Sequence, residues 1–281
     1  MTAFPLQTRP PRPGPPEPAR RLSPVTGLRN SLTLTWRSVL KIRTNPEDMF
    51  GLLLQPIMYL VLFTYVFGGQ LAGSTHQYLE YSLPGIMVLS VTFATLGTGM
   101  MLSQDVATGV FDRFRALPIA RSAPLAGAIL GDNVRYLISI AVTLGFGFVL
   151  GFRILTSPLA AVMACLLLLV FALAMCWVSA FIGMMVKSAQ AVQWWGFLVM
   201  FPLIFGSNIL TQTAKMPGWL QAFVKVNPVT YLTEAERALL VGGPAATAVI
   251  RSLLWSLGIF VVFAPLAVRA YRRRALSLDG G

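Results

Sequence analysis

The chain has 281 residues, of which 56% are hydrophobic and only 11% charged, against roughly 25% charged in a soluble domain. Uncharged apolar runs of about 20 residues, long enough to cross a bilayer, recur along it and exclude a soluble class. The net charge of +12 flanks those runs: eight of the 22 Lys and Arg precede Met49, and four lie between Arg269 and Arg274. Basic residues placed there meet anionic headgroups, so the partner is a lipid bilayer and not nucleic acid.

Residues 1–24 hold eight prolines and no apolar cluster, which reads as a disordered Pro-rich tail. They lack the apolar core of a signal peptide, so the chain is expected to start in the cytoplasm. In residues 25–45, Leu28, Leu32, Trp36, Val39 and Leu40 recur at helical spacing beside Arg29, Arg37 and Lys41. That pattern predicts an amphipathic helix lying in the membrane interface, broken by Asn45-Pro46.

A transmembrane domain is expected over residues 46–270, with six spans at about 49–67, 83–102, 125–152, 159–186, 192–210 and 249–268. Pro56 and Pro202 are expected kinks. Gly145, Gly147 and Gly151 in the third span are expected to let helices approach closely. Residues 211–248 are too apolar for free solvent and too interrupted to span. A break at Asn227-Pro228 divides them into two short helices at, or re-entering, the outer interface. Residues 271–281 form a basic tail. With both termini inside, the inner segments carry sixteen basic residues and the outer ones five, which satisfies the positive-inside rule. The fold class is therefore an all-α integral membrane protein with cytoplasmic termini.

Few residues offer chemistry. Cys165 and Cys176 stand roughly 16 Å apart along one helix, too far for a disulfide, and read as small apolar packers. His76, the single histidine, falls in a polar outer loop with no metal-ligating companion, so no metal is expected. No Gly is followed by Lys, which rules out a phosphate loop, and no Ser/His/Asp set is present. The chain is thus expected to be non-catalytic, binding no cofactor. Asp132 and Arg135 lie one turn apart inside the third span, where they form a self-neutralising pair, a proton relay or the lining of a gate.

The most charged internal stretch is "GVFDRFRALPIARS", residues 109–122. Val106, Val110, Phe111, Phe114 and Leu117 mark one helical face, closed by Pro118, and Asp112, Arg113, Arg115 and Arg121 supply a charged rim. Such a surface helix either docks on a soluble protein or rests on lipid.

"DVATGVFDRFRALPIARSAPLAG", Asp105 to Gly127, resembles the signature loop of type-2 ATP-binding-cassette (ABC) permeases, in the daunorubicin/doxorubicin-resistance branch where DRFRxxPxxRSA recurs. "NPVTYLTEAERALLVG", Asn227 to Gly242, resembles the NPxT…RAL element before the last span in the same family. The resemblance covers the chain from Gly27 onward. It implies that Asp105, Val110, Phe111, Asp112, Arg113, Phe114, Arg115, Leu117, Pro118 and Arg121 belong to a coupling helix seated in a groove of a separate ATPase. It also implies a dimer of permeases, here a homodimer, with two ATPases that carry ATP and Mg. Asn227, Pro228, Glu234 and Arg237 would belong to the outer helices. Glu234 and Glu236 depart from the family pattern by their acidity. The expected function is export of an amphiphilic small molecule, an antibiotic or other drug, across a bacterial cell membrane. Export of a lipid or lipid-linked glycan is the alternative within the family; a proton-coupled carrier and an intramembrane enzyme are those outside it.

Overall fold

The computed structural model describes residues 46–71, 74–108, 123–186 and 188–277. Among them every regular element is helical. In chain order these are α1 (Pro46–Leu71), α2 (Thr75–Ala107), α3 (Ala123–Val149), α4 (Pro158–Met185), α5 (Ala189–Phe205), a 3-10 turn (Thr213–Lys215), α6 (Gly218–Val224), α7 (Pro228–Leu240) and α8 (Ala246–Ser277). The interfacial helix expected over 25–45 and the tails at 1–24 and 278–281 lie outside the described residues.

Local chemistry starts several of these helices. The side chain of Ser74 accepts from the Gln77 amide at 3.2 Å, that of Ser157 from Ala160 at 3.3 Å and that of Ser188 from Ala191 at 3.2 Å. Each satisfies one of the four amides that a helix start leaves unpaired. Pro158 occupies the first turn of α4, where its missing N–H costs nothing. Pro56, Pro84, Pro202 and Pro265 all lie inside helices without ending them.

Among the described residues, three helices are long and apolar enough to cross a membrane: α2, α4 and the Ala246–Tyr271 part of α8. The apolar stretches Leu53–Gly68 in α1 and Ala189–Phe205 in α5 are shorter. In its apolar window α2 is 72% buried and α8 only 17%, so α2 is the axis of the bundle and α8 its skin. α2 packs against α1, α3, α4 and α5, while α4 is sandwiched between α2 and α8. The outer surface exposes Met58, Tyr65, Trp194, Leu198, Leu254 and Val261, a lining suited to hydrocarbon rather than water.

At Gly99 and Gly183 the backbones of α2 and α4 touch. A Cβ on Gly99 would lie 2.3 Å from the Ser179 carbonyl oxygen, and one on Gly183 2.4 Å from that of Gly99. Small residues at such crossings replace the hydrophobic drive that helix pairs lose in lipid. Of the three glycines singled out in the third span, only Gly147 serves this purpose, admitting Leu83 of α2. Gly145 meets nothing, and Gly151 forms the turn after α3 with φ of 101°.

The helices and the apolar runs that announce them differ at their ends: α3 stops at Val149 rather than Phe152 and α5 at Phe205 rather than Leu210, while others extend further. α2 begins at Thr75 rather than Leu83 and α8 continues to Ser277 rather than Val268. As a result His76 stands in the first turn of α2, with Nδ1 3.6 Å from the Glu80 carboxylate, and not in a loop.

Candidate functional site

Two polar clusters interrupt the apolar bundle, one towards each end. The first lies about two and a half turns inside the end that carries residues 109–122. Thr98 of α2 donates its hydroxyl to Asp132 Oδ2 of α3 at 2.5 Å and lies 2.8 Å from the Tyr136 hydroxyl. Tyr136 in turn lies 2.9 Å from the Cys176 sulfur of α4. All four side chains are buried. Cys176 is therefore a member of a polar knot as well as an apolar packer; it and Cys165 are both free thiols. Arg135 Nη1 reaches Asp132 Oδ1 at 3.7 Å, and its guanidinium passes over Gly97, where a Cβ would meet it at 3.6 Å. The sequence names Asp132 and Arg135; it does not reveal that Thr98, Tyr136 and Cys176 bind them to two other helices.

Of the residues assigned to the coupling helix, Asp105 is described: half-buried, in the last turn of α2. Thr108 closes that helix, its amide and hydroxyl both donating to the Gln104 carbonyl at 2.9 Å. Val110, Phe111, Asp112, Arg113, Phe114, Arg115, Leu117, Pro118 and Arg121 lie outside the described residues.

The second cluster is at the opposite end. After α5 the chain runs irregularly through 206–212, leaving backbone carbonyls without helical partners, and α7 supplies side chains that take them up. Arg237 donates Nε to the Tyr81 carbonyl at 2.9 Å and Nη2 to those of Asn208 and Ile209 at 2.6 and 2.9 Å. Its guanidinium stacks 3.7 Å above the Tyr81 ring, adding a cation–π contact. Glu234 accepts from Asn208 Nδ2 at 3.0 Å. Burial pushes its carboxyl above the usual range, against the pull of Arg237 and Arg251. Asn227 does more than break the chain. Its Oδ1 caps α7 at the Val229 amide, and its Nδ2 donates to the carbonyls of Leu203 and Gly206 at 2.7 and 2.8 Å. Asn227, Pro228, Glu234 and Arg237 thus all belong to one assembly, in which the short helix α7 is pinned to α2 and to the end of α5.

Glu236 is placed differently. It takes the position of an apolar residue in the stripe Val229, Leu232, Glu236, Leu239, is fully buried, and neither carboxylate oxygen has a hydrogen-bond partner among the described residues. Burial alone raises its affinity for a proton well above the ordinary carboxylate value.

A further anchor escapes the sequence. Arg274, one of the basic residues that flank the last apolar run, donates Nη1 to the carbonyls of Gly183, Met184 and Val186 at 3.1, 3.3 and 2.6 Å. It caps the C-terminal end of α4, whose last carbonyls have no helical donor. A lone Arg among four gives no signal of this role. No group of three or more His, Cys, Asp and Glu that could hold a metal ion occurs among the described residues.

Comparison with known proteins bears on this arrangement. Residues 29–241 match the ABC-2 type transporter family. The chain is 39% identical over 250 residues to the daunorubicin resistance ABC transporter permease protein DrrB1 of Streptomyces coeruleorubidus, covering 89% of this chain and 88% of that one. It is 32% identical over 229 residues to the probable doxorubicin resistance ABC transporter permease protein DrrC of Mycobacterium tuberculosis, covering 80% and 82%. A more distant relative, the putative transport permease ycf38 of Cyanophora paradoxa, is 24% identical over 210 residues, covering 73% and 72%. The match takes in both polar clusters and the charged segment between α2 and α3, and the chain belongs to the ABC-2 type transporter family of membrane permeases.

Proposed function

We propose that this chain is the membrane subunit of an ATP-driven bacterial exporter of amphiphilic drug-like molecules. The observation that carries the reading is the 39% identity over nearly the whole chain to a permease named for daunorubicin resistance. The absence of any phosphate-loop sequence agrees with it, since ATP hydrolysis then belongs to a partner. In this reading α1, α2, α3, α4, α5 and α8 are six spans of one cell-membrane protein with both termini cytoplasmic. Residues 25–45 lie along the inner interface, and α6 and α7 form the short re-entrant helices on the outer side. Residues 109–122 are the coupling helix: Phe111 and Phe114 seat in the ATPase groove, and Asp112, Arg113 and Arg115 hold its rim. Two such permeases pair with two ATPases, which bind ATP and Mg; this chain binds neither and performs no catalysis. The Thr98–Asp132–Tyr136 knot joins α2 and α3, the two helices that residues 109–122 connect, and reaches α4 through Cys176, so a displacement of that loop is passed to all three helices together.

The test is transport by inverted membrane vesicles that contain the permease and its ATPase. A fluorescent amphiphilic drug is expected to accumulate on addition of MgATP and to persist when the proton gradient is collapsed. Accumulation that follows the proton gradient and ignores ATP would establish a proton-coupled carrier instead.

A further inference from the structure

The helix α7 has 13 residues, about 20 Å of rise against a hydrocarbon core of about 30 Å, so it is not a span. It is wedged between α2, α4 and α8, and its two sides are held unequally. Towards α2 and α5 it is fixed by the Arg237 and Asn227 bonds to five carbonyls and by Asn208 on Glu234. Towards the extended segment that leads into α4 it is held by the Leu155 amide on the Leu240 carbonyl at 3.0 Å and by the Thr156 hydroxyl on that of Leu239. Its link to α8 contains Gly242 and Gly243 at φ of 115° and 130°, with open space around both. Backbone in that region, free of neighbours, can absorb a rotation. The weaker seam is therefore the one between α7 and α4, hinged at the glycines.

Glu236 is fully buried on α7, outside the set of bonds that fix the helix to α2 and α5. Its carboxyl acts electrostatically on the Cys165 thiol of α4. The other ionisable groups around α7 are engaged elsewhere. On α7 itself Glu234 and Arg237 face each other, and Tyr231 bonds the Lys225 carbonyl. On α2, Tyr78 and Tyr81 donate to Leu210 and Asn208 and lie beside Arg237. On α8, Arg251 lies 5.3 Å over the Tyr231 ring, and α5 has no ionisable residue. Among the described residues no cation approaches Glu236 closely enough to hold it ionised. A carboxylate without a partner in such a place is costly, and the group takes a proton instead.

We propose that Glu236 is a proton-binding site that ties movement of α7 to the medium on the outer side: with α7 closed the carboxyl is protonated, and opening of the α7–α4 seam delivers it to water, where it ionises. On opening the O–H bond breaks, the electron pair stays on the carboxylate and the proton passes to outer water; closure takes it back. The linkage has a definite sign. The closed state binds the proton more tightly than the open one, so closure is favoured at low pH and weakens as pH rises from the ordinary carboxylate value, about 4.3, towards the closed-state value. Across that window each pH unit multiplies the opening equilibrium about tenfold. The proposal rests on the outer placement of α7 given above.

The test is hydrogen exchange of residues 151–157 and 228–240 in the permease reconstituted in one orientation with its ATPase. The pH is set separately inside and outside, and rates are corrected for intrinsic exchange. The Leu155 amide reports the seam directly. Protection in both segments is expected to fall about tenfold per unit of rising outer pH. Glu236→Gln keeps the shape without the charge, and Glu236→Leu completes the apolar stripe; both are expected to stay protected throughout. A flat wild-type profile, or variants that keep the wild-type slope, would overturn the proton site. A response that Glu236→Gln abolishes but that follows the inner pH would overturn the outer placement instead.

Discussion

Asp132 shows how a single buried carboxylate can organise three helices. Its two oxygens serve different partners: Oδ2 takes the Thr98 hydroxyl from α2, and Oδ1 faces Arg135 within α3. Through Tyr136 the same knot reaches Cys176 of α4. Replacing Asp132 with Asn keeps the size but leaves Arg135 without its counter-charge, and we expect a loss of about 1–3 kcal/mol. The double change Asp132→Asn, Arg135→Gln is expected to recover part of that, because removing both charges costs less than stranding one. Thermal unfolding of the purified permease measures both, and a double variant no more stable than the single one would contradict the pair. The sequence discloses Asp132 and Arg135 because charges stand out in an apolar run. It hides Thr98, Tyr136 and Cys176, since a hydroxyl or thiol at a helical position gives no sign of which neighbour it faces. Glu236 is an intermediate case: its acidity is visible beside Glu234, but only the packing of α7 separates the paired carboxylate from the solitary one.

Among the elements, α7 depends most on particular side chains. Arg237 binds the Tyr81 carbonyl of α2 and two carbonyls of the non-helical stretch 206–212, and stacks on Tyr81, and charged hydrogen bonds contribute about 1.5–3 kcal/mol each. Arg237→Ala is expected to lower Tm and to release α7 from 208–209. Arg237→Lys should be nearly as harmful, because a compact ammonium cannot match the spaced donors of the planar guanidinium or stack on Tyr81. A Lys variant with wild-type Tm would show that charge alone holds the helix. Apolar runs locate the helices well and their ends poorly. Hydrophobicity stops where hydrocarbon would, whereas hydrogen bonding carries α2 back to Thr75 and α8 on to Ser277. The start of α2 was nonetheless encoded: Ser74 followed by Gln77 is a capping pattern, and reading it would have put His76 on the helix.

At the scale of the whole molecule, a bundle axis built on α2 connects the segment after Thr108 to the cluster around Arg237 at its other end, since Thr98 and Tyr81 lie on one helix. This continuity is what an ATP-driven permease needs: force applied at one end of α2 arrives at the other. The family was legible because the charged loop has a distinctive sequence, whereas the joining of its two ends by α2 depends on burial that no linear pattern records. The central claim, that a separate ATPase drives this chain through residues 109–122, is tested most directly by pulling down the ATPase with wild-type permease and with Phe111→Ala/Phe114→Ala at matched membrane levels. Truncating a buried aromatic anchor typically costs about 2 kcal/mol or more in binding, and Arg113 and Arg115, proposed for the rim, are expected to make the association salt-sensitive. The double variant is expected to insert normally, recover far less ATPase, especially at high salt, and lose drug-stimulated ATP hydrolysis. Equal recovery of the ATPase by both proteins at low and high salt would contradict the account.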